Sequence, residues 1–166
     1  MMSDSPNLGQ PPVRFPWPPL FIFMTVFFGL LLDVSLGGVM EGVFDILLLR
    51  GLGGALICAA LLLELWSVYT LRKHKTTVWP HYAATSLVVQ GPYKFTRNPI
   101  YIAHVTFTFG IALLVASPFM TLLTPLLAYG DLKLAVEPEE RHLNEKFGDA
   151  YRVYMTQTPR WFWNGT

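Results

Sequence analysis

Between Pro99 and Gly130 the chain carries no Asp, Glu, Lys or Arg. As one helix that run would measure about 48 Å at about 1.5 Å per residue, well beyond a hydrocarbon core of about 30 Å. Ser117-Pro118 divides it, because proline opens a helix well but disrupts its interior. The run therefore predicts a helical hairpin, two spans joined at Ser117-Pro118, in preference to one tilted and kinked helix. Two further apolar segments precede it, at about Pro19 to Leu36 and about Gly51 to Leu71. The composition agrees, with 52% hydrophobic and 14% charged residues, where soluble domains carry about a quarter charged. The fold class expected is an all-α integral membrane protein. It has about four transmembrane helices, the last two a hairpin, and a C-terminal amphipathic helical tail.

Cation placement sets the expected orientation. Arg72, Lys73, Lys75, Lys94 and Arg97 fall between the second and third spans, and Lys133, Arg141, Lys146, Arg152 and Arg160 follow the fourth. The connection after the first span carries Glu41 and Asp45. The positive-inside rule then puts both termini and the 72–98 loop in the cytoplasm. The opening MMSDSPNLGQPPVRFPWPPL lacks the build of a signal peptide and reads as an extended, Pro-rich lead-in over residues 1–18. A net charge of +1 offers no basic face for nucleic acid. Cys58 is the only cysteine, which excludes an internal disulfide and a cysteine-based zinc cluster.

Beyond the spans, Pro138 suits a first helical turn, with Glu137, Glu139 and Glu140 at the positive end of that helix. Gly148 reads as its stop, and Asp149 as the cap of a second short helix. Leu143, Phe147, Tyr151 and Tyr154 recur at helical spacing, which predicts an interfacial helix lying on the membrane. Trp161, Phe162 and Trp163 would anchor its end among the headgroups.

Inside the spans the ionisable residues are Asp33, Glu64 and His104, each a functional candidate because charge is costly in lipid. The competing reading is structural, since each is within reach of the interface or a neighbouring helix. The segment GPYKFTRNPIYIAH, residues 91–104, is stiffened by Pro92 and Pro99. Asn98-Pro99 opens the third span, leaving backbone amides that attract an anion. Read blandly, the same loop is a headgroup anchor built from Tyr93, Tyr101 and cations. Lys133 and Glu137, four apart, share one helical face. If the tail folds back against residues 91–101, a pocket forms with carboxylates, a cation and aromatics on its wall. Nucleotide-binding glycine motifs, a phosphate loop, a zinc-protease motif and a nucleophile elbow are all absent.

Two segments together resemble the isoprenylcysteine carboxyl methyltransferase family, whose relatives include the phospholipid N-methyltransferases. They are L-V-x-x-G-P-Y-x-x-x-R-N-P-x-Y and, after the hairpin, E-E-x-x-L-x-x-x-F-G-x-x-Y-x-x-Y. The resemblance covers about Thr76 to Trp161. It implies a helical membrane bundle that binds S-adenosylmethionine at its cytosolic face through residues 72–166, with residues 19–71 supplying the first two spans. It implies cofactor contacts at Thr85, Ser86, Leu87, Val88, Tyr93, Asn98, Pro99, Ile100 and Tyr101. Glu137 falls where the family has an acidic cofactor ligand, and Glu139 and Glu140 match its Glu-Glu pair, with Glu140 counted among the cofactor contacts. Lys133 falls where the family has a substrate-contacting arginine, and Arg97 of the Arg-Asn-Pro motif joins it on the acceptor side. Asn98 stands where eukaryotic members have histidine.

The activity implied is methyl transfer to a lipophilic carboxylate or amine within the bilayer. No metal is implied, and the sequence leaves the oligomeric state open. Two alternatives stand beside it: an NADPH-dependent enzyme like the sterol reductases, and a non-catalytic membrane scaffold or sensor.

Overall fold

A computed structural model describes residues 15, 17–37, 46–76 and 84–161. The Pro-rich lead-in up to residue 14, the Glu41 and Asp45 connection, residues 77–83, Phe162 and Trp163 lie outside them. The described chain is helical: α1 (Trp17–Leu36), α2 (Ile46–Lys73), a 3₁₀ turn (Gly91–Lys94), α3 (Pro99–Leu114), α4 (Pro118–Asp131), a π turn (Leu132–Val136), α5 (Glu137–Phe147) and α6 (Asp149–Gln157).

Among the described residues three helices are long and apolar enough to cross a membrane: Trp17–Leu36, Leu47–Lys73 and the continuous Pro118–Phe147. The third expected span, α3, has 16 residues, which at about 1.5 Å per residue gives about 24 Å. It is a shorter apolar helix packed against α2. Large apolar side chains point outward from α1 and α2, among them Phe23, Phe27, Leu62, Leu65 and Trp66. Exposed apolar faces of that extent belong against hydrocarbon rather than water.

The α3–α4 turn falls at Ser117-Pro118. Ser117 Oγ accepts from the Met120 amide at 3.0 Å and so satisfies one amide of the α4 start. α2 packs along α3, and α1 along α4. Gly53 and Gly110 let the first pair approach closely: a Cβ on Gly53 would stand 2.6 Å from the Gly110 oxygen and from the Leu114 nitrogen.

The tail departs from expectation. Asp131, Val136 and Glu137 all hold αR backbone, and the Glu137 amide bonds to the Leu132 carbonyl. α4 thus runs on into α5 as one rod, with no free helix start at Glu137 or Pro138. The wider π turn accommodates Pro138, which lacks an amide and would otherwise crowd the carbonyl four residues back. Gly148, at φ 52°, does end α5. It also stands at the cap position of α6, with Asp149 as the first residue inside the helix.

Candidate active site

The start of α1, the end of α2, the start of α3 and the end of the long rod meet at one end of the bundle. There they enclose a cavity of about 560 Å³, within the range of small-molecule sites, roughly 300–1,000 Å³. Its first wall is residues 86–101. Gly91 turns the chain with φ +60°, and a Cβ there would lie 2.6 Å from Thr70 Oγ1 on α2, so glycine serves both the turn and the approach. Pro92 and Tyr93 follow buried in the 3₁₀ turn, and Asn98 and Pro99 start α3.

The second wall is the tail, which folds back. Tyr154 Oη donates to the Tyr93 carbonyl at 2.6 Å, and the Arg97 amide donates to the Pro159 carbonyl at 2.9 Å. Thr96 Oγ1 donates to the Arg160 carbonyl at 2.8 Å. Side chains tie the walls further. Tyr101 Oη donates to Glu139 Oε2 at 2.8 Å, and Asn98 Nδ2 donates to Glu140 Oε1 at 3.1 Å. Glu140 also accepts from Arg160 Nη2 at 2.7 Å, and its carboxylate forms an ion pair with Arg97 at 3.3 Å without hydrogen-bond geometry. The Glu140 carboxylate is thus the node between the start of α3 and the C-terminal strap.

This packing corrects the reading of the tail stripe. Tyr151 and Tyr154 are 1% and 6% exposed and, with Leu143, face the cavity rather than the bilayer surface. Their hydroxyls explain the difference, because a buried phenol needs a partner, and Tyr154 finds one on the opposite wall. Trp161 packs against the cluster of Tyr101, Ala135 and Val136 instead of standing free as an anchor.

Of the residues singled out in the sequence, Ser86, Leu87, Val88, Tyr93, Arg97, Asn98, Pro99, Ile100, Tyr101 and Glu140 line the cavity. Thr85 does not; its amide and hydroxyl bond to Thr76 Oγ1 and the Lys75 carbonyl. Lys133 and Glu137 also lie off the lining, paired with each other at 2.6 Å on the outer face. Glu139 lines the cavity, as do Glu64, Arg72, Thr76, His104 and His142. Periodicity carries no signal for most of these. The exception is the acidic pair, where only the second member was named a cofactor contact.

Burial, helped by Glu139 and Tyr154, pushes the Tyr93 hydroxyl well above its ordinary range, and burial does the same for Tyr151 and Tyr154. All three are neutral phenols at physiological pH and offer aromatic faces, the Tyr154 hydroxyl being engaged by the Tyr93 carbonyl. The hydrogen bonds from Arg160 to Glu140 raise the guanidinium further and keep it charged. Among the described residues no group of three or more His, Cys, Asp or Glu would hold a metal ion. What the lining offers is a cationic ligand's site: neutral aromatic faces, the carboxyl groups of Glu64, Glu139 and Glu140, and an uncapped helix start, since the Asn98 side chain makes no cap bond.

Residues 48–150 match the family profile PEMT, phospholipid methyltransferase. The match takes in α2, where the sequence resemblance had only hydropathy to offer. No curated protein and no solved structure gave a match.

Proposed function

The chain belongs to the phospholipid methyltransferase family, and from that premise we propose that it methylates a lipophilic acceptor with S-adenosylmethionine at the cytoplasmic face of a membrane. The observation that carries the reading is the cavity between the 86–101 wall and the folded-back tail, with neutral phenols, Glu139 and the start of α3 converging on it. Its donor set suits a ligand that is cationic at the sulfonium and amino group and anionic at its carboxylate. Bound there, the cofactor supplies an electrophilic methyl on a good leaving group.

The chain's own residues then bind and orient. The faces of Tyr93 and Tyr101 receive the sulfonium, a cation–π contact worth about 0.5–2 kcal/mol. Glu139, held by the Tyr101 hydroxyl, takes the acidic role that resemblance gave to Glu137. The first-turn amides of α3, at Ile100 and Tyr101, receive the carboxylate. Arg97, bound to Glu140, positions that turn. Val68, Leu71 and Leu87 give the cavity an apolar side through which an acceptor enters from the bilayer. In-line displacement at a methyl needs little besides placement, which supplies much of the acceleration. The family match does not favour the reductase or scaffold alternatives.

Calorimetric titration of the detergent-purified protein with S-adenosylhomocysteine tests the reading, with NADPH titrated in parallel. Saturable binding of the first and none of the second is expected. A folded sample that ignores S-adenosylhomocysteine refutes the proposal. Labelled cofactor with fractionated membrane lipids then identifies the acceptor.

A further inference from the structure

Among the described titratable side chains that this chemistry does not use are Glu64 on α2, His104 on α3 and Asp131 at the end of α4. Glu64 and His104 both line the cavity, and His104 Nε2 lies 3.8 Å from Glu64 Oε1. The Glu64 side chain is 39% exposed and that of His104 15%, so the carboxylate faces the open cavity and the imidazole sits behind it. At 3.8 Å the two are near neighbours, within ion-pair range and beyond hydrogen-bond length. His104 Nδ1 is buried without a hydrogen-bond partner, as are both carboxylate oxygens of Asp131, a residue only 1% exposed.

Charged and titratable groups face His104 from each element around it. Glu64 comes from α2, and Asp131 acts on it electrostatically from α4. On α3 itself the Tyr101 ring meets the imidazole edge-on at 6.1 Å, with Glu139 beyond the Tyr101 hydroxyl. The cations of the lining are Arg72, at the end of α2, and Arg97, which Glu140 holds. The surroundings of His104 are therefore acidic, unfavourable to an incoming carboxylate and favourable to an ammonium.

We propose that Glu64 and His104 are the acid–base pair of the site: Glu64 receives the ammonium form of an amine acceptor, and the His104 imidazole takes its proton. The assignment rests on the methyltransferase reading and specifies N-methylation. The proton leaves the acceptor nitrogen for Nε2 of the imidazole. The freed lone pair then attacks the methyl carbon of the sulfonium donor. An N–C bond forms and a C–S bond breaks, with its electron pair kept by sulfur as a neutral thioether. The imidazolium afterwards loses its proton to water at the cavity mouth. An alkylammonium near pH 10.4 and an imidazole near pH 6.5 are mismatched in water by about 4 pH units, so the proton transfer is uphill and is drawn forward by the displacement that consumes the free amine.

The test compares wild type, Glu64→Gln and His104→Gln in detergent. Donor-free binding of a single-chain ethanolamine lipid, its choline counterpart and a fatty acid is followed by tryptophan fluorescence, and methyl transfer by labelled donor between about pH 5 and 9. In the wild type the transfer rate rises with pH, as catalysis by a general base requires. Glu64→Gln is expected to weaken ethanolamine-lipid binding about tenfold and to leave fatty-acid binding unchanged. His104→Gln is expected to lower the rate about 10²-fold or more and to abolish its pH limb. S-adenosylhomocysteine binding should persist in all three proteins.

If the wild type fails to bind S-adenosylhomocysteine, the methyltransferase reading falls first. If it binds but both variants keep wild-type amine binding and pH dependence, the acid–base assignment is wrong while that reading stands. Should either variant fail to fold, wild type alone decides: methyl transfer to a fatty acid, or a pH-independent rate, overturns the proposal.

Discussion

Glu140→Gln removes one negative charge from beneath two guanidinium groups and should loosen the whole closure of the cavity. The Glu140 and Arg97 side chains are 9% and 11% exposed, so Arg97 would be left as a stranded buried cation. Breaking a buried pair from one side costs about 3–5 kcal/mol. Arg160 is 37% exposed, and its share is smaller, about 0.2–1 kcal/mol. Asn98 keeps an acceptor in the glutamine oxygen, so its bond adds little to the loss. The net expectation is a destabilisation of about 4 kcal/mol. At about 2–4 °C per kcal/mol for a chain of this length, the unfolding midpoint falls by about 10 °C. Tryptophan fluorescence during heating of the purified protein measures it. Because the cost lies mainly in the stranded cation, Arg97→Met added to Glu140→Gln should restore part of the midpoint. A fall below about 2 °C, or shifts of the two variants that simply add, would refute the reasoning.

Gly53→Leu should separate α2 from α3 and lower the midpoint by several degrees, because its Cβ meets backbone at 2.6 Å; Gly54→Leu, with nothing within 4 Å, is the control that should leave it unchanged. Tyr154→Phe strands the Tyr93 carbonyl and should cost about 1–3 kcal/mol in thermal stability, with weaker S-adenosylhomocysteine binding by titration. Lys133→Ala and Glu137→Gln, which break only the outer pair, should leave both midpoint and cofactor binding at wild-type values. Loss of binding in Glu137→Gln would return the acidic role to that residue and take it from Glu139.

The helical hairpin was legible because lipid admits few sequences and Ser117-Pro118 cuts a run without charge; the count of four spans was not, since α3 has only 16 residues. The first wall was legible for a related reason, since Gly91, Pro92 and Asn98-Pro99 restrict the backbone locally. The tail was harder. Its stripe of Leu143, Tyr151 and Tyr154 shows which face is apolar and says nothing about whether lipid or protein covers it. The answer depends on bonds such as that from Tyr154 to the Tyr93 carbonyl, 61 residues apart in sequence. Spacing did place Lys133 and Glu137 on one face, where they pair at 2.6 Å, but did not show which face meets the cavity. The π turn shifts the face of every residue after Leu132, carrying Glu139 to the cavity and leaving Glu137 outside. Glu64 and His104 were visible as costly charges, but only packing of α2 on α3 makes them neighbours.

The unbroken rod from Pro118 to Phe147 has a mechanical consequence. Glu139 rides about 32 Å from the turn at Ser117, at about 1.5 Å per residue. Pivoting the rod about that turn by about 5° therefore sweeps the carboxylate through about 3 Å, roughly one hydrogen-bond length. Bilayers of different thickness change helix tilt by angles of this order. The ties from Tyr101, Asn98 and Arg97, with the packing of α1 along α4 and the bonds from Thr96 and Tyr154, oppose the sweep. The bond from Tyr101 to Glu139 thus works as a strut that a change in lipid thickness would load.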